Sequence, residues 1–181
     1  MNKSPLLPIG FLLSVVLFSA SLLTGCGEHP LSSENKYQKD GFSMLLPNGW
    51  EVSQDYFPTS THRLITLSTS VSSRARIEVF DTSASRPNLE MYLQQYMADA
   101  IPEAQRASVK ISHGEVERNQ GRGYFVEVNQ NGETDTNYYI EVIEMQYVDH
   151  QSYVTLHTPN DSKARILAEF NQLIDSINNE K

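Results

Sequence analysis

Cysteine is nearly absent, with one, Cys26, in 181 residues. An intramolecular disulfide is thereby excluded, although an exported chain could use one. Basic residues are also in deficit: 14 Lys and Arg stand against 22 Asp and Glu, a formal net charge of −8. The acidic residues are scattered and no basic cluster is present, which argues against a nucleic-acid face and against a polybasic grip on anionic lipid. Several catalytic patterns are missing. There is no H-E-x-x-H, no G-x-S-x-G elbow and no Gly-Lys-Ser/Thr phosphate loop. Long apolar runs are limited to one, at residues 6–23.

That run follows a short, positively charged start, Met1-Asn2-Lys3. The pattern is that of a secretory signal. Its length approaches a membrane-spanning helix, but Pro8, Gly10 and several Ser interrupt it and no Lys/Arg flank follows. The run ends in Leu23-Thr24-Gly25-Cys26, which resembles the lipobox of bacterial lipoproteins. In that family the Cys thiol receives a diacylglyceryl group and a peptidase cuts just before it. The resemblance implies a signal peptide over 1–25, recognition through Leu23, Thr24 and Gly25, and lipid on Cys26. It also carries a sorting rule, under which Asp after the lipidated Cys retains a protein in the inner membrane. Gly27 stands there, so the outer membrane is favoured, facing the periplasm. Membrane contact through acyl chains on Cys26 needs no further lipid-binding surface.

Residues 26–40 are polar and include Pro30, and they read as the lipidated Cys and a flexible tether. Residues 41–181 read as one globular domain. Phe42, Met44 and Leu46 alternate as in a strand, and Pro47-Asn48-Gly49 supplies a turn. Strands are expected from Trp50, over His62 to Thr69 and over Ala75 to Phe80. Leu89, Tyr92, Leu93, Tyr96, Met97 and Ala100 then recur at helical spacing, with Asn88 as N-cap and Pro102 as terminator. Four strands follow, over Ser108–Val116, Gly123–Asn129, Tyr138–Tyr147 and Tyr153–His157. Asn131-Gly132 marks a hairpin. Ile166, Leu167, Phe170, Leu173, Ile174 and Ile177 form the stripe of a last helix, with Thr158 expected as N-cap and Pro159 at its first position.

Strands, helix, strands, helix imply an α+β fold with an antiparallel sheet. Tyr138–Tyr147 is apolar on both sides, which predicts a central sheet with helices packed on both faces. Several strings resemble the PsbP-like fold, nearest the bacterial lipoprotein family of DcrB. They are Phe42-Ser43-Met44-Leu45-Leu46-Pro47, Pro102-Glu103-Ala104-Gln105, Arg122-Gly123 and Leu156-His157-Thr158-Pro159. The resemblance implies an α/β/α sandwich over residues 40–178 and a binding or support role in place of a reaction. One departure stands out, since the DcrB relatives carry Asp where this chain has Gly27.

Candidate chemistry is sparse. His29, His62, His113, His150 and His157 are spread along the chain without metal-ligand spacing, so neither a metal nor a cofactor is expected. Residues 127–132 imitate half of a calcium loop, but its twelfth position is Tyr138. Gly121-Arg122-Gly123 reads as a turn or bulge. Glu141 and Glu144 fall on opposite faces of one strand. Tyr138, Tyr139, Tyr147 and Tyr153 read as sheet packing before they read as a groove. The expectation is a non-enzymatic lipoprotein that binds or supports another envelope protein. A small-ligand module is the alternative, and an enzyme with a dispersed site the third reading.

Overall fold

The computed structural model describes residues 35–179, apart from Ser70, Pro102 and residues 131–136. The leader, Leu23, Thr24, Gly25, Cys26 and Gly27 lie outside the described residues, as does Asn131-Gly132. Strands β1 (Lys36–Lys39) and β2 (Phe42–Leu45) open the order. A meander of β3 (Trp50–Thr59), β4 (His62–Thr69) and β5 (Arg74–Asp81) follows. Helix α1 (Leu89–Ala100) and a single turn, α2 (Glu103–Arg106), lead to a second meander of β6 (Val109–Arg118), β7 (Gly121–Gln130) and β8 (Tyr138–Gln146). Strand β9 (His150–Pro159), a 3-10 turn at Asn160–Ser162, α3 (Lys163–Ser176) and the short β10 (Asn178–Asn179) complete it.

Seven strands form one antiparallel sheet in the order β3-β4-β5-β9-β8-β7-β6. β9 pairs with β5 on one side and β8 on the other, so the last strand joins the two meanders. The fold is α+β. Successive residues of β8 feed different cores, as its two-sided apolar pattern requires. Tyr139, Ile143 and Met145 join a core with Ile166, Phe170 and Leu173 of α3. Ile140 and Val142 join another with Leu89 and Tyr92 of α1. The Asn88 cap forms as expected, its Oδ1 accepting the Met91 N–H at 2.8 Å.

Three expectations are revised. The tether was expected to run to Asp40, but Lys36–Lys39 pairs antiparallel with Phe42–Leu45. Asp40 and Gly41 make the turn at φ 50° and 78°, a left-handed pair that suits Asp-Gly between two strands. The last helix was expected to start at Thr158 and Pro159. Both stay in the β9 ladder opposite Tyr139 and Tyr138, and the Thr158 hydroxyl bonds Ser73 at 2.8 Å instead of capping. Gly121-Arg122-Gly123 was expected as a turn or bulge with a strand from Gly123, but β7 already begins at Gly121, which pairs with Met145 of β8.

β1, β2 and β10 form a separate three-stranded sheet. Phe42 and Met44 of β2 pack into the core of the large sheet, and a polar clasp adds a second link. Arg63 of β4, 5% exposed, lies between the Phe42 and Phe57 rings and donates from Nε and Nη2 to Asp55 of β3, each at 2.9 Å. Its Nη1 reaches the Lys39 carbonyl at 3.0 Å, and the Tyr37 hydroxyl also donates to Asp55. The Arg63 bonds hold the Asp55 carboxyl below the usual carboxylate range. Burial, with the adjoining carboxylate, pushes the Tyr37 phenol up to about 12.

Gly123 carries a strict packing demand. A Cβ there would run into the Val142 carbonyl oxygen and would meet the Ile143 side chain at 2.9 Å. The collision is with backbone, which cannot rotate away. Gly123→Ala is expected to cost about 1–3 kcal/mol, the range for overpacking a close-packed interior. Urea denaturation of the two proteins measures it, and equal midpoints would contradict the close approach.

Candidate functional site

The two faces of the large sheet are covered unequally. The α3 side receives a helix of 14 residues together with Phe42 and Met44 of β2. Among the described residues the helix on the other side is α1, with 12 residues, which lies along the strands and covers a band about 10–12 Å wide. Seven strands at about 4.8 Å spacing measure about 29 Å across. The core partners of α1 lie on β5, β9, β8 and β7. Sheet surface therefore remains open at both flanks of the helix.

On the β6 flank this leaves a trough of about 570 Å³. Its walls are apolar: Leu93, Met97 and Ile101 from the helix side, Ile111, Tyr124 and Val126 from the sheet. Glu90, Arg106 and His113 also line it. Arg106 is fixed by bonds from Nε to the Ile101 carbonyl and from Nη2 to that of Ala98, both 3.2 Å. A cation there suits the carboxyl end of α1. The trough adjoins a polar cavity of about 390 Å³, with which it shares Glu90 and Tyr124. Arg86, Glu115, Glu117, Arg122 and Glu144 belong to that second part.

The histidines are not brought together. His62 Nε2 lies 2.9 Å from Glu78 Oε2, in a cavity of about 220 Å³ under α1. Glu78 Oε1 takes the Tyr92 hydroxyl at 2.6 Å and faces Arg76 Nε at 2.9 Å. Both carboxylate oxygens are thus occupied, and the cluster ties α1 to the sheet. Burial, with the adjoining carboxylate, raises the Tyr92 phenol well above its ordinary range. His150 stacks on Tyr147 and approaches Asp149 Oδ1 at 2.7 Å. His113 lies on exposed β6 in the trough wall. Among the described residues no group of three or more His, Cys, Asp or Glu is arranged to hold a metal ion.

Glu141 and Glu144 face opposite ways, as alternation on β8 dictates. Glu141 is fully buried, receives Arg118 Nη2 at 2.7 Å and the Tyr139 hydroxyl at 2.6 Å, and lies on the α3 side. Glu144 faces the α1 side, bonded by Gln151, with Arg122 and Arg86 at 3.8 and 3.9 Å. The tyrosines are packing groups: Tyr139 and Tyr153 are buried, and Tyr138 tilts against His157 at 4.8 Å. The trough residues were missed because Leu93 and Met97 read as core positions of an amphipathic helix. The signal was Ile111, an apolar residue among Lys110, Ser112 and His113, which is 46% exposed.

No family model matches the chain, and no curated protein matches it. Solved structures similar to it include the following two. A protein of Bacteroides thetaiotaomicron has 16% identity and a TM-score of 0.45, covering 81% of this chain and 48% of that one. This chain thus spans about half the length of that protein. Cyanobacterial PsbP (CyanoP) from Synechocystis has 13% identity and a TM-score of 0.48, covering 86% of this chain and 98% of that one.

His157 gives the α1 side a pH signature. Burial, aided by Arg74, lowers its pKa from 6.5 to about 4. The unfolded chain therefore binds a proton that the folded one refuses, so stability falls as pH drops from 6.5 towards 4. Asp55 adds a second loss at lower pH, since its depressed carboxyl stabilises only while ionised. His157→Gln is expected to flatten the upper stage and leave the lower one. Thermal melts at a series of pH values decide this, and an unchanged slope in the variant would count against the assignment.

Proposed function

We propose that this chain is a membrane-anchored periplasmic lipoprotein acting as a non-catalytic binding or support module for another envelope component. The observation that carries the reading is the apolar trough beside α1, an open concavity with Leu93, Met97 and Ile111 in its walls. Concave apolar surface with a few polar rim groups is the usual form of a binding site. The carboxylates nearest to His62 and Arg118 are tied up in internal bonds, which supports structural roles for them. The anchor is lipid on Cys26, after cleavage guided by Leu23, Thr24 and Gly25, and Gly27 favours the outer membrane. The reading is supported by the likeness of the quoted strings to the DcrB family and the PsbP-like fold, whose members serve as binding and assembly modules.

A small-ligand role is the second reading. A volume of about 570 Å³ falls within the range of small-molecule sites. Native mass spectrometry of the gently purified protein distinguishes it, since a retained ligand would shift the mass.

Two outcomes are expected in cells. A photo-crosslinking residue at Gln94 of the trough is expected to yield a discrete adduct with one envelope protein, lost when Ile111→Asp is added. Ile111 is exposed, so that variant should fold, which circular dichroism checks. Turnover of a substrate by the purified domain with no specific adduct would reverse the reading. Metabolic labelling with a fatty acid tests the anchor. Cys26→Ser should lose the label, and retained label would remove Cys26 as the lipid site.

A further inference from the structure

The large sheet ends in β3 on one side and β6 on the other, and the two edges are built differently. β3 carries Pro58, and its pairing with β4 slips between Val52 and Gln54 and again between Tyr56 and Thr59. Proline and bulges are the usual protection of an edge against further pairing. β6 has neither. Its ten residues pair with β7 without a break from Val109–Gln130 to Arg118–Gly121. Among the described residues it has no neighbour on its outer side. A long regular edge of this kind offers a row of backbone donors and acceptors.

The apolar trough lies along that same edge. Ile111 and His113 of β6 sit in its wall, on the face turned towards α1. A strand added outside β6 would direct every second side chain to this face, beside Ile111, Leu93 and Met97. Further along, Glu115 and Glu117 of β6 and Glu90 of α1 line the polar cavity. Arg86 and Arg122 in that cavity approach Glu144. Among the described residues no cation is paired with Glu90, Glu115 or Glu117. The edge thus presents apolar surface at one end and an excess of acid at the other, where Glu90, Glu115, Glu117 and Glu144 face the two guanidiniums of Arg86 and Arg122, the latter opposite Glu117 in the ladder.

We propose that β6 accepts an extended segment of a partner protein as an eighth strand, one with alternating apolar residues and a Lys or Arg at one end. This rests on the binding-module reading and deepens it by naming the partner's chemistry. A second copy of this chain fits less well. Antiparallel pairing of β6 with its own copy places residues of the same face opposite each other. Lys110 points to the other face from Glu115 and Glu117, so no such register sets it against them. A basic foreign segment meets those acids directly.

The test uses the purified full chain and a synthetic peptide of alternating Val and Thr ending in two Lys. Hydrogen exchange should show new protection on alternate amides of β6 and none on β3 when the peptide is added. Two N-methylated forms of the peptide, blocked on alternate amides, should differ. One binds like the parent, and the other, methylated on the edge that meets β6, loses binding. Replacing the Lys pair with Glu should weaken binding by about tenfold or more. Equal binding of both methylated forms, or no binding of the parent at about millimolar concentration, overturns strand addition. Outward-facing β6 amides, those not bonded to β7, already protected without peptide, in a monomer or a dimer, give the edge to another part of the chain or to a second copy and also overturn it. Photo-crosslinkers in cells separate this inference from the reading beneath it. A specific adduct from β3 positions with none from β6 sinks the edge and leaves a binding module, whereas no adduct from any surface position sinks both.

Discussion

Everything in the large sheet depends on the placement of β9. Without it the molecule would hold two separate three-stranded meanders. β9 pairs with β5 over eight positions, Arg74–His157 to Asp81–His150, and with β8 over nine, Tyr138–Pro159 to Gln146–Gln151. Its side chains also alternate between cores. Val154 and Leu156 pack with α3, while Tyr153 joins the α1 core and Thr155 lies within 3.1 Å of the Tyr92 hydroxyl. A one-residue slip would exchange these sets and empty both cores together. Such a strand is defined by pairing from distant sequence, so the two halves of the sheet become one structure only when the chain is nearly complete.

That dependence explains which elements were legible in advance. Helix α1 announced itself through Asn88 and its apolar spacing, and both ends of the signal are local. β5 and β7 were visible as alternating runs, and β8 as a run apolar on both sides. The beginning of β9 was not, because His150, Gln151 and Ser152 are polar yet buried between two neighbours. Thr158 and Pro159 read as a helix start by local rules, and ladder pairing overrode those rules. The hairpin of β1 and β2 was legible in Asp40-Gly41 but was masked by the polar character of Lys36, Gln38 and Lys39. The trough was least visible, since it arises from the narrowness of one helix against the width of a sheet. No residue pattern encodes that mismatch.

Buried polar groups divide the labour in a way that fits this architecture. Asp55 ties the small sheet to the large one and Glu78 ties α1 to it, while Glu141 and Glu144 join strands within the large sheet, and each is held by guanidinium, amide or phenol donors. Removing one partner from such a group costs far more than the pair contributes. Glu78 therefore sets the registry of α1 on the sheet and the others that of strands and sheets, while Glu115 and Glu117 of β6 line an open cavity. Stability and recognition draw on different carboxylates.

The Asp40–Gly41 hairpin has a mechanical consequence. β1 runs back along β2, so the end at Lys36 lies opposite Leu45, where the chain continues into the domain. Tension arriving from the N-terminal side pulls on that open end and separates the four pairs one after another, as a zipper opens, before any long ladder is sheared. The polar clasp of Tyr37 and Lys39 on Asp55 would release in the same motion. The hairpin is thus the part of the domain that such a pull would open first, one strand pair at a time.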